Sequence, residues 1–530
     1  MRRILLVALS ALALTITAKN VNEKKLNAQA LKEYLQPIRP GYSGQNPFWN
    51  EFARKFTYAP AFDFQERSFA RAYLFVITDN DGHRWEMRSQ SPKAALSPVW
   101  EQIPGGTQVT LDVFPIVGKA ADTSDTLGHR TFLRDFPFRL PCNAPTRPYR
   151  EAALKAMLCL HRLPMVQQWA DHAEPDWSYR FSTYACKIIG ATLRNECMVA
   201  HYFPSEREQA LQIARNVAAY LRGISQPVGA PLAYFPPTYT RGVLVNSSIT
   251  KQEGEDATMC MEPLNVGQAL LDLYRETNER QYYDWAIGIA TTYKRLQRPD
   301  GSMPIKLVYS TGEPVNDRCA MLHPLLNYLQ RLKDEFGVSD FEGVREAGER
   351  WMHDVAIRSF DMTGQFEDVS VLNLKPYQNI TNCTAAPYAD YLWRKKSPSA
   401  ADLEDARDLM RLSEDQFVFW DMRPEPDGIR KHIVPCVFEQ YKYQESVDAS
   451  ACNVAGGFLS CYLCTGNQLA LAKALALTNA ITVAQDARSG FIPTIWRRSK
   501  KTANISDMWI NCAVHSICHL LRTADAVGEP

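Results

Sequence analysis

Residues 269–307 read "ALLDLYRETNERQYYDWAIGIATTYKRLQRPDGSMPIKL". Apolar residues recur at three- and four-residue spacing on both sides of "TNER", which predicts two amphipathic helices joined by a short turn. The second helical pattern stops at Pro299-Asp300-Gly301, and the alternation in "SMPIKL" predicts a short strand after that turn. One such break is an ordinary loop, but its recurrence at a fixed interval identifies a repeat architecture.

The same order recurs along the chain after about residue 150. Each copy combines two helical patterns with a short connection, and successive pairs start about 60 residues apart. Glycine-containing segments with short alternating runs separate the pairs. With a first helix near Arg150 and a last one in residues 506–523, the count is about twelve helices. The further pairs are predicted in residues 183–221, 322–356, 386–419 and 455–485.

Helical hairpins with short links at one end and long links at the other predict a closed (α/α)6 barrel over residues 150–525. The inner helices of such a ring should lack a charged face. "NVAGGFLSCYLC" (453–464) and "MWINCAVHSICHLL" (508–521) have this character. The alternative is an open superhelix of helix pairs, which usually repeats at shorter intervals without long loops on one side.

Residues 40–140 have a different pattern. "ARAYLFVITDNDGHRWEMRS" (70–89) and "GGTQVTLDVFPIVG" (105–118) alternate apolar and polar residues around Asn-Asp-Gly and Gly-Gly turns. This pattern predicts a β-sandwich domain. A proline-rich linker at 139–150 joins it to the helices. The predicted fold is therefore multidomain, an N-terminal β-sandwich followed by an all-α (α/α)6 barrel.

The N-terminus predicts an export signal in residues 1–18. Arg2 and Arg3 precede an apolar run that ends in small residues at Ala18. The run is short for a membrane span, and no second apolar run follows. We expect a mature chain that starts near Lys19, is periplasmic or secreted, and has no membrane span after cleavage.

Charge and cysteine content narrow the function classes. The net charge is +1, which offers no argument for nucleic acid or an anionic membrane surface as a partner. Nearly all of the thirteen cysteines lie in apolar helical patterns, which predicts mainly buried free thiols, with one or two disulfides as the alternative. Cys461 and Cys464 form a C-x-x-C without a second pair or a nearby histidine, which argues against structural zinc.

Two stretches carry a family resemblance: residues 263–314, from "PLNVGQALLDLY" to "VYSTGEP", and residues 97–118, "SPVWEQIPGGTQVTLDVFPIVG". They resemble exported bacterial proteins of the six-hairpin glycosidase class, in particular the β-glucuronidases and unsaturated glucuronyl hydrolases of polysaccharide-utilisation systems. The resemblance implies an exo-acting glycoside hydrolase that removes a terminal uronic acid from an oligosaccharide. Catalysis by protein carboxylates needs neither a cofactor nor a metal.

The catalytic candidates lie where inner helices begin, because the long loops and the helix N-termini meet at that end. Glycoside hydrolysis uses two carboxyl groups, one protonated and one ionised. Glu262, a lone carboxylate in "TMCMEPLNV", is predicted to be the acid, and Asp317 in "VNDRC" the ionised partner. The ordinary alternatives are a first-turn glutamate before Pro263 and an N-cap aspartate. Glu445 and Glu255 are the reserve pair.

The predicted substrate-binding residues share positions at or near inner-helix starts. Aromatic rings there would stack on sugar faces, and arginines would hold a uronate carboxylate by paired N–H donors. The alternatives are core packing for the aromatics, surface ion pairs for the arginines and a structural role for the histidine. The set is Trp177, Arg180, Arg318, His323, Tyr443, Trp509 and Asn511.

Two other functions are considered. A polysaccharide lyase would use Tyr443 or His323 as base and acid, with Asn382 or Asn511 and an arginine neutralising the uronate. Its products would absorb in the ultraviolet. A non-catalytic carbohydrate-binding protein would bind an oligosaccharide without turnover. Nucleotide-binding and serine-hydrolase motifs do not occur in the sequence, and the oligomeric state stays open.

Overall fold

The computed structural model describes residues 23–38, 49–240, 256–366, 371–372, 374–422, 431–497 and 508–530. The predicted signal peptide, residues 1–18, and the predicted mature start near Lys19 lie outside these ranges. The described chain begins with helix α1 (Glu23–Tyr34). A β-sheet region follows, and twelve helices of three turns or more make up most of the remainder.

These twelve helices form an inner and an outer ring. They are α2 (Tyr149–His161), α3 (Gly190–Tyr202), α4 (Arg207–Ile224), α5 (Pro263–Thr277), α6 (Arg280–Leu296), α7 (His323–Phe336), α8 (Glu342–Trp351), α9 (Asn382–Arg394), α10 (Ala400–Phe417), α11 (Asp448–Thr465), α12 (Gln468–Ala484) and α13 (Ile510–Ala526). The inner helices α3, α5, α7, α9, α11 and α13 each pack against the next, and α13 packs against α3. The ring therefore closes, as expected of an (α/α)6 barrel and not of an open superhelix.

Each outer helix packs on one inner helix. Helices α4, α6, α8, α10 and α12 pack on the inner helix that precedes them, and α2 packs on α13 at the closure. The two stretches predicted to be inner, 453–464 and 508–521, lie in the inner helices α11 and α13. Short or irregular turns complete the helical part: Pro164–Gln167, Gln168–Ala170, Arg180–Thr183, Ala185–Ile189, Met352–Ala356 and Ile357–Ser359.

The break after α6 has the predicted form. Gly301 has a φ of +92°, which an L side chain rarely adopts, and a Cβ there would lie 2.2 Å from the Ala347 carbonyl oxygen. The chain then forms β10 (Lys306–Val308), which pairs antiparallel with β9 (Ala257–Met259) before α5. A second pair, β11 (Val418–Phe419) with β12 (Cys436–Val437), lies between α10 and α11. Small β excursions thus occur on the outer-to-inner links.

The N-terminal β region contains one main sheet. Its strands run in the order β1-β8-β6-β3-β4, with β7 paired to β6, and β2 and β5 form a separate pair. The β1–β8 pair is parallel and the others are antiparallel. The strands are β1 (Lys55–Phe56), β2 (Ala61–Asp63), β3 (Ala72–Asp79), β4 (Arg84–Ser89), β5 (Lys93–Ala95), β6 (Thr107–Val117), β7 (Ala120–Ala121) and β8 (Gly128–Arg134).

The predicted β-sandwich is not confirmed. One face of the main sheet packs into the core, but the other carries polar pairs such as Arg84 with Glu86. On the core side, Phe62 of β2 and Trp100 of the short helix Ser97–Trp100 pack on Phe132 of β8, with ring centroids 5.9 and 6.3 Å apart. Alternation along a strand indicates that one face is buried, but it does not specify what covers that face. Helix α1 was not predicted either.

A buried polar network joins the N-terminal region to the outer ring. Glu414 of α10 is fully buried and accepts hydrogen bonds from the Tyr34 hydroxyl (2.5 Å) and the Tyr58 hydroxyl (2.8 Å). Its carboxylate also accepts from Trp420 Nε1 (2.9 Å) and Lys473 Nζ (2.8 Å). Helix α1, the sheet region, α10 and α12 therefore meet at one carboxylate.

All thirteen cysteines lie within the described residues, and each is a free thiol. Most are buried or half-buried, in agreement with the prediction; Cys464 is exposed. Within the described ranges, every helix is too short or too polar to cross a membrane.

Candidate functional site

The inner helices begin at the same end of the ring. Tyr179, before α3, donates its hydroxyl to the Met508 carbonyl before α13 (2.5 Å). Asn382, the first residue of α9, donates from Nδ2 to the Ser450 carbonyl in the first turn of α11 (3.2 Å). These contacts join loops that are far apart in sequence. The predicted site end is therefore a single region of the molecule.

Glu262 lies at this end, immediately before α5, and its carboxylate is buried. Lys187, in the turn that leads into α3, places Nζ 3.7 Å from Glu262 Oε1. The Lys187 ammonium also lies over the Phe366 ring, 5.2 Å from its centroid. A nearby ammonium favours the ionised form of a carboxylate, whereas an apolar surrounding favours the protonated form. Lys187, which is distant in sequence, thus places a cation beside the carboxylate of the apolar stretch, and sequence reasoning missed it.

Asp317 and Arg318 lie on the loop before α7. The Asp317 side chain is exposed. Arg318 donates from Nε to the Val371 carbonyl (3.3 Å) and from Nη2 to the Leu374 carbonyl. These bonds hold the loop that contains residues 371–372. No described contact joins Asp317 to Glu262, so their predicted pairing stays a prediction.

The reserve carboxylate Glu445 lies in a cluster of basic residues between β12 and α11. Arg497 Nη2 donates to its Oε1 (2.5 Å), and Lys431 Nζ lies 3.5 Å from the same oxygen. His432 Nε2 is 3.6 Å from Oε2. The other reserve, Glu255, lies outside the described residues.

Several predicted sugar-stacking and uronate-binding residues lie in an aromatic region at the same end. Trp509 packs on Phe181, with ring centroids 4.2 Å apart, and on Tyr184 at 5.0 Å. The Arg180 guanidinium lies over the Phe181 ring at 4.4 Å. Trp177 is half-buried and donates from Nε1 to a Glu174 oxygen at 3.1 Å. Trp509 thus contributes to a packed cluster.

Tyr443 and Asn511 differ in their placement. Tyr443 is 42% exposed on the loop before α11. Asn511 is half-buried in the first turn of α13, and its Oδ1 is buried without a hydrogen-bond partner among the described residues. An acceptor in this state suits a polar ligand or water.

One face of α13 points to the centre of the ring. Asn511, His515, Cys518 and Arg522 follow one another at three- and four-residue spacing, which places them on a single face. Arg522 Nη1 donates to Asp390 Oδ1 of α9 at 2.7 Å. The inner neighbours of α13 are α11 and α3, so Arg522 reaches past α11 to contact α9 on the inner side of the ring.

His515 shows that the ring encloses accessible space. Burial lowers the pKa of His515 to about 4; the Arg194 guanidinium adds to this lowering, and Asp390 opposes it. The His515 side chain is nevertheless exposed. A side chain that is surrounded by protein and still accessible lines an internal cavity. At neutral pH its imidazole is uncharged.

His323, the first residue of α7, faces the same space. Burial lowers the pKa of His323 to about 3, with Asp390 opposing the shift and His515 adding to it. Its Nδ1 is buried and has no hydrogen-bond partner among the described residues. The predicted site residue His323 therefore supplies a neutral imidazole, and His515 supplies a second one that was not predicted.

Two ion-pair clusters are centred on aspartates of the inner helices, Asp272 of α5 and Asp390 of α9. In the first, Arg194 Nε of α3 is 3.4 Å from Asp272 Oδ2 of α5, and Arg331 Nη2 of α7 donates to Asp272 Oδ1 at 2.5 Å. Arg331 also pairs with Glu335 at 3.0 Å near the surface. One interior aspartate is thus shared by two guanidinium groups.

The second cluster is centred on Asp390. Its Oδ1 accepts from Arg522 (2.7 Å) and from the Ser460 hydroxyl (2.6 Å), and its Oδ2 accepts from Arg394 Nε (2.9 Å). Burial opposes ionisation, but the two guanidinium groups keep the pKa of Asp390 below its usual value. This cluster therefore has two guanidinium groups for one carboxylate, whereas the first cluster has two of each.

Asp448 begins α11 and is fully buried. It accepts from the Ser516 hydroxyl (3.0 Å) and from the Ala449 N–H (2.8 Å). Burial raises the pKa of Asp448 to about 8, with Glu439 adding to the rise and the hydrogen bonds opposing it. Asp448 is therefore largely protonated at neutral pH and serves the packing of α11 on α13.

Sequence reasoning missed Lys187, Arg194, His515 and Asp448. A usable signal was present for His515. The inner-helix stretch 508–521 is mainly apolar, and His515 lies on the same helix face as Asn511, whereas its other polar residues pack on α11. The signal for Arg194 was weaker, since an arginine on a helix is more often a surface residue.

No known family profile and no curated protein matches the chain. Several solved structures are similar to the chain at low sequence identity. The α-mannanase of family 76 from Bacteroides thetaiotaomicron is 11% identical over 72% of this chain and 96% of its own, with a TM-score of 0.47. An unsaturated glucuronyl hydrolase specific for heparin is 11% identical over 71% of this chain and 97% of its own, with a TM-score of 0.44.

A D-mannose isomerase is 12% identical over 71% of this chain and 97% of its own, with a TM-score of 0.48. These proteins differ in the reactions that their names describe. Every one of these TM-scores is below 0.5, so the likeness carries no conclusion about the reaction or substrate of this chain.

Proposed function

We propose that the chain is an exo-acting glycoside hydrolase that removes a terminal uronic acid from an oligosaccharide. The observation that carries the proposal is Glu262, a buried carboxylate at the end of the ring where the inner helices begin. The accessible, polar interior marked by His515 supports it, because an exo-acting enzyme needs an enclosed space for one terminal sugar.

The reaction needs two protein groups beside the glycosidic bond. One donates a proton to the leaving oxygen, and the other is an ionised carboxylate that faces the anomeric carbon. Lys187 favours the ionised form of Glu262, so Glu262 suits the role of base or charge stabiliser better than that of acid. Asp317, on the neighbouring loop, is the proposed partner. Glu262 takes a proton from the attacking water as the water oxygen bonds to the anomeric carbon, the glycosidic C–O bond breaks, and Asp317, in its carboxylic acid form, gives a proton to the leaving oxygen.

The test is product analysis of the mature protein on a β-glucuronide and on an oligosaccharide with a terminal unsaturated uronate. The proposal expects a new reducing end and release of the terminal sugar acid. It fails if neither substrate is cleaved under conditions in which the protein is folded.

A polysaccharide lyase is the second candidate, and His323 is the observation that favours it. A neutral imidazole with a buried, unpartnered Nδ1 can accept a proton from a carbon next to a carboxylate. Elimination would leave a double bond in the product, so ultraviolet absorbance that grows with the reaction distinguishes the lyase from the hydrolase.

A further inference from the structure

Arg194 is an unusual member of the ring interior, because its side chain is 40% exposed although it lies on an inner helix. Asp272, its ion-pair partner, lies 3.4 Å from Nε, and no hydrogen bond joins Nη1 or Nη2 to a described residue. Arg331, by contrast, is 12% exposed, and its guanidinium binds Asp272 and Gln268. Arg194 thus combines a partly exposed side chain with a single described carboxylate partner.

The position of this space follows from His515. Met198 and Cys518, each one turn further along α3 and α13 than Arg194 and His515, place Sδ and Sγ 3.9 Å apart, so Arg194 and His515 lie on the facing sides of the α3–α13 contact. Both side chains are accessible, and both belong to inner helices. They therefore line the same internal cavity.

The charges around the cavity favour an anion. Asp272 is already bound by Arg331, and Asp390 is bound by Arg522 and Arg394. The neighbouring His515 is uncharged at neutral pH, so it does not change this balance of charges. In the two clusters together, four guanidinium groups pair with three carboxylates, so an anion beside Arg194 would meet a net positive charge and N–H donors that no described residue binds.

We propose that Arg194 binds the carboxylate of the substrate's terminal sugar acid through Nη1 and Nη2, with His515 as a neutral hydrogen-bonding neighbour. This inference deepens the proposed function and rests on it for the identity of the sugar. The planar guanidinium fork matches a carboxylate in a bidentate fashion, which a lysine cannot reproduce. Arg180 and Arg318, the arginines predicted from the sequence, instead lie over an aromatic ring and on loop carbonyls.

The test is calorimetric or NMR titration of the full mature chain with D-glucuronate, D-glucose and D-glucose 6-sulfate. We expect the parent protein to prefer glucuronate to glucose. Arg194→Gln should reduce that preference by roughly 10- to 100-fold, as expected for loss of a charge-assisted hydrogen-bond pair. Arg194→Lys should restore only part of it. Arg222→Gln, on the exposed side of outer helix α4, is the matched control and should change nothing.

Binding of the monosaccharides does not require turnover, so the result is independent of whether the chain hydrolyses glycosides. An unchanged preference in a folded Arg194→Gln variant overturns the inference, as does a parent that binds glucose and glucuronate equally. Stronger binding of the 6-sulfate than of glucuronate also overturns it, because the site would then select sulfate. If circular dichroism shows that Arg194→Gln is unfolded, the titrations are made with Arg194→Lys and His515→Asn instead. An unchanged preference for glucuronate over glucose in both variants contradicts the proposal.

Discussion

Lys187 Nζ lies 3.7 Å from Glu262 Oε1, and this ion pair joins the beginnings of two neighbouring inner helices. Lys187 is 16% exposed and Glu262 8% in their side chains, so water screens the pair only partly. A pair in this position connects the two helices and places a carboxyl group beside an ammonium group at the end of the ring. The first prediction concerns its catalytic use.

Glu262→Gln should lower turnover on a cleavable glucuronide by roughly two to four orders of magnitude. Glutamine keeps the size of the side chain but can act neither as base nor as acid. Glu346→Gln, exposed on outer helix α8, is the control and should keep parental turnover. Initial rates at saturating substrate measure the effect.

Asp317→Asn should give a loss of similar order if Asp317 is the second carboxyl group. Near-normal turnover in both Glu262→Gln and Asp317→Asn would show that the catalytic assignment is wrong. Glu445 and Glu255 would then be the next pair to test.

Arg318→Ala should reduce activity on glucuronides and on the matching neutral glycosides by the same factor. The reason is that Arg318 holds the carbonyls of Val371 and Leu374, so its loss loosens a loop. The ratio of kcat/KM values for the two substrates measures this. A selective loss on glucuronides would instead make Arg318 a uronate-binding residue, as the sequence predicted.

Asp448→Asn should remove the part of the pH dependence of the free energy of unfolding that comes from the Asp448 carboxyl group. The folded-state pKa of Asp448, about 8, lies above that of an unfolded aspartate, so folding takes up a proton between about pH 4 and pH 8. Stability from this group is full below that window and is lost as pH rises through it. The variant should therefore gain free energy of unfolding relative to the parent at about pH 9 and gain less at about pH 5.

Urea unfolding at the two pH values measures the effect. Asp354→Asn, at an exposed position after helix α8, is the control. It should change the free energy of unfolding by the same amount at both pH values. Parallel pH profiles for the parent and Asp448→Asn would contradict the raised pKa.

Glu414→Gln should destabilise the chain by roughly 3–5 kcal/mol, because it leaves the buried Lys473 ammonium without its main carboxylate. Lys473 is 2% exposed, and among the described residues its second carboxylate partner is Glu33 at 3.5 Å. The double variant Glu414→Gln/Lys473→Met should recover much of the loss. Equilibrium unfolding of the parent, both single variants and the double variant measures the coupling, and additive losses would show that the two side chains are not coupled.

The helical hairpins were predictable because their signals are local. The spacing of apolar residues in 269–297 and the Pro-Asp-Gly break after it depend on residues a few positions apart. The absence of a charged face likewise identified α11 and α13 as inner helices. One-sided alternation in residues 70–89 indicated strands, but the layer that covers them depends on contacts with distant segments, so the sandwich was not confirmed.

The sequence by itself determined a ring of paired helices, mainly free thiols and the region in which to look for a site. Tertiary structure alone decided which side chains meet there. Lys187 reaches Glu262 because α3 packs on α5, and Arg194 neighbours His515 because the ring closes and brings α13 against α3. The cause is physical: helix periodicity is set within a few residues, whereas the charge around a buried group is set by helices hundreds of residues away along the chain.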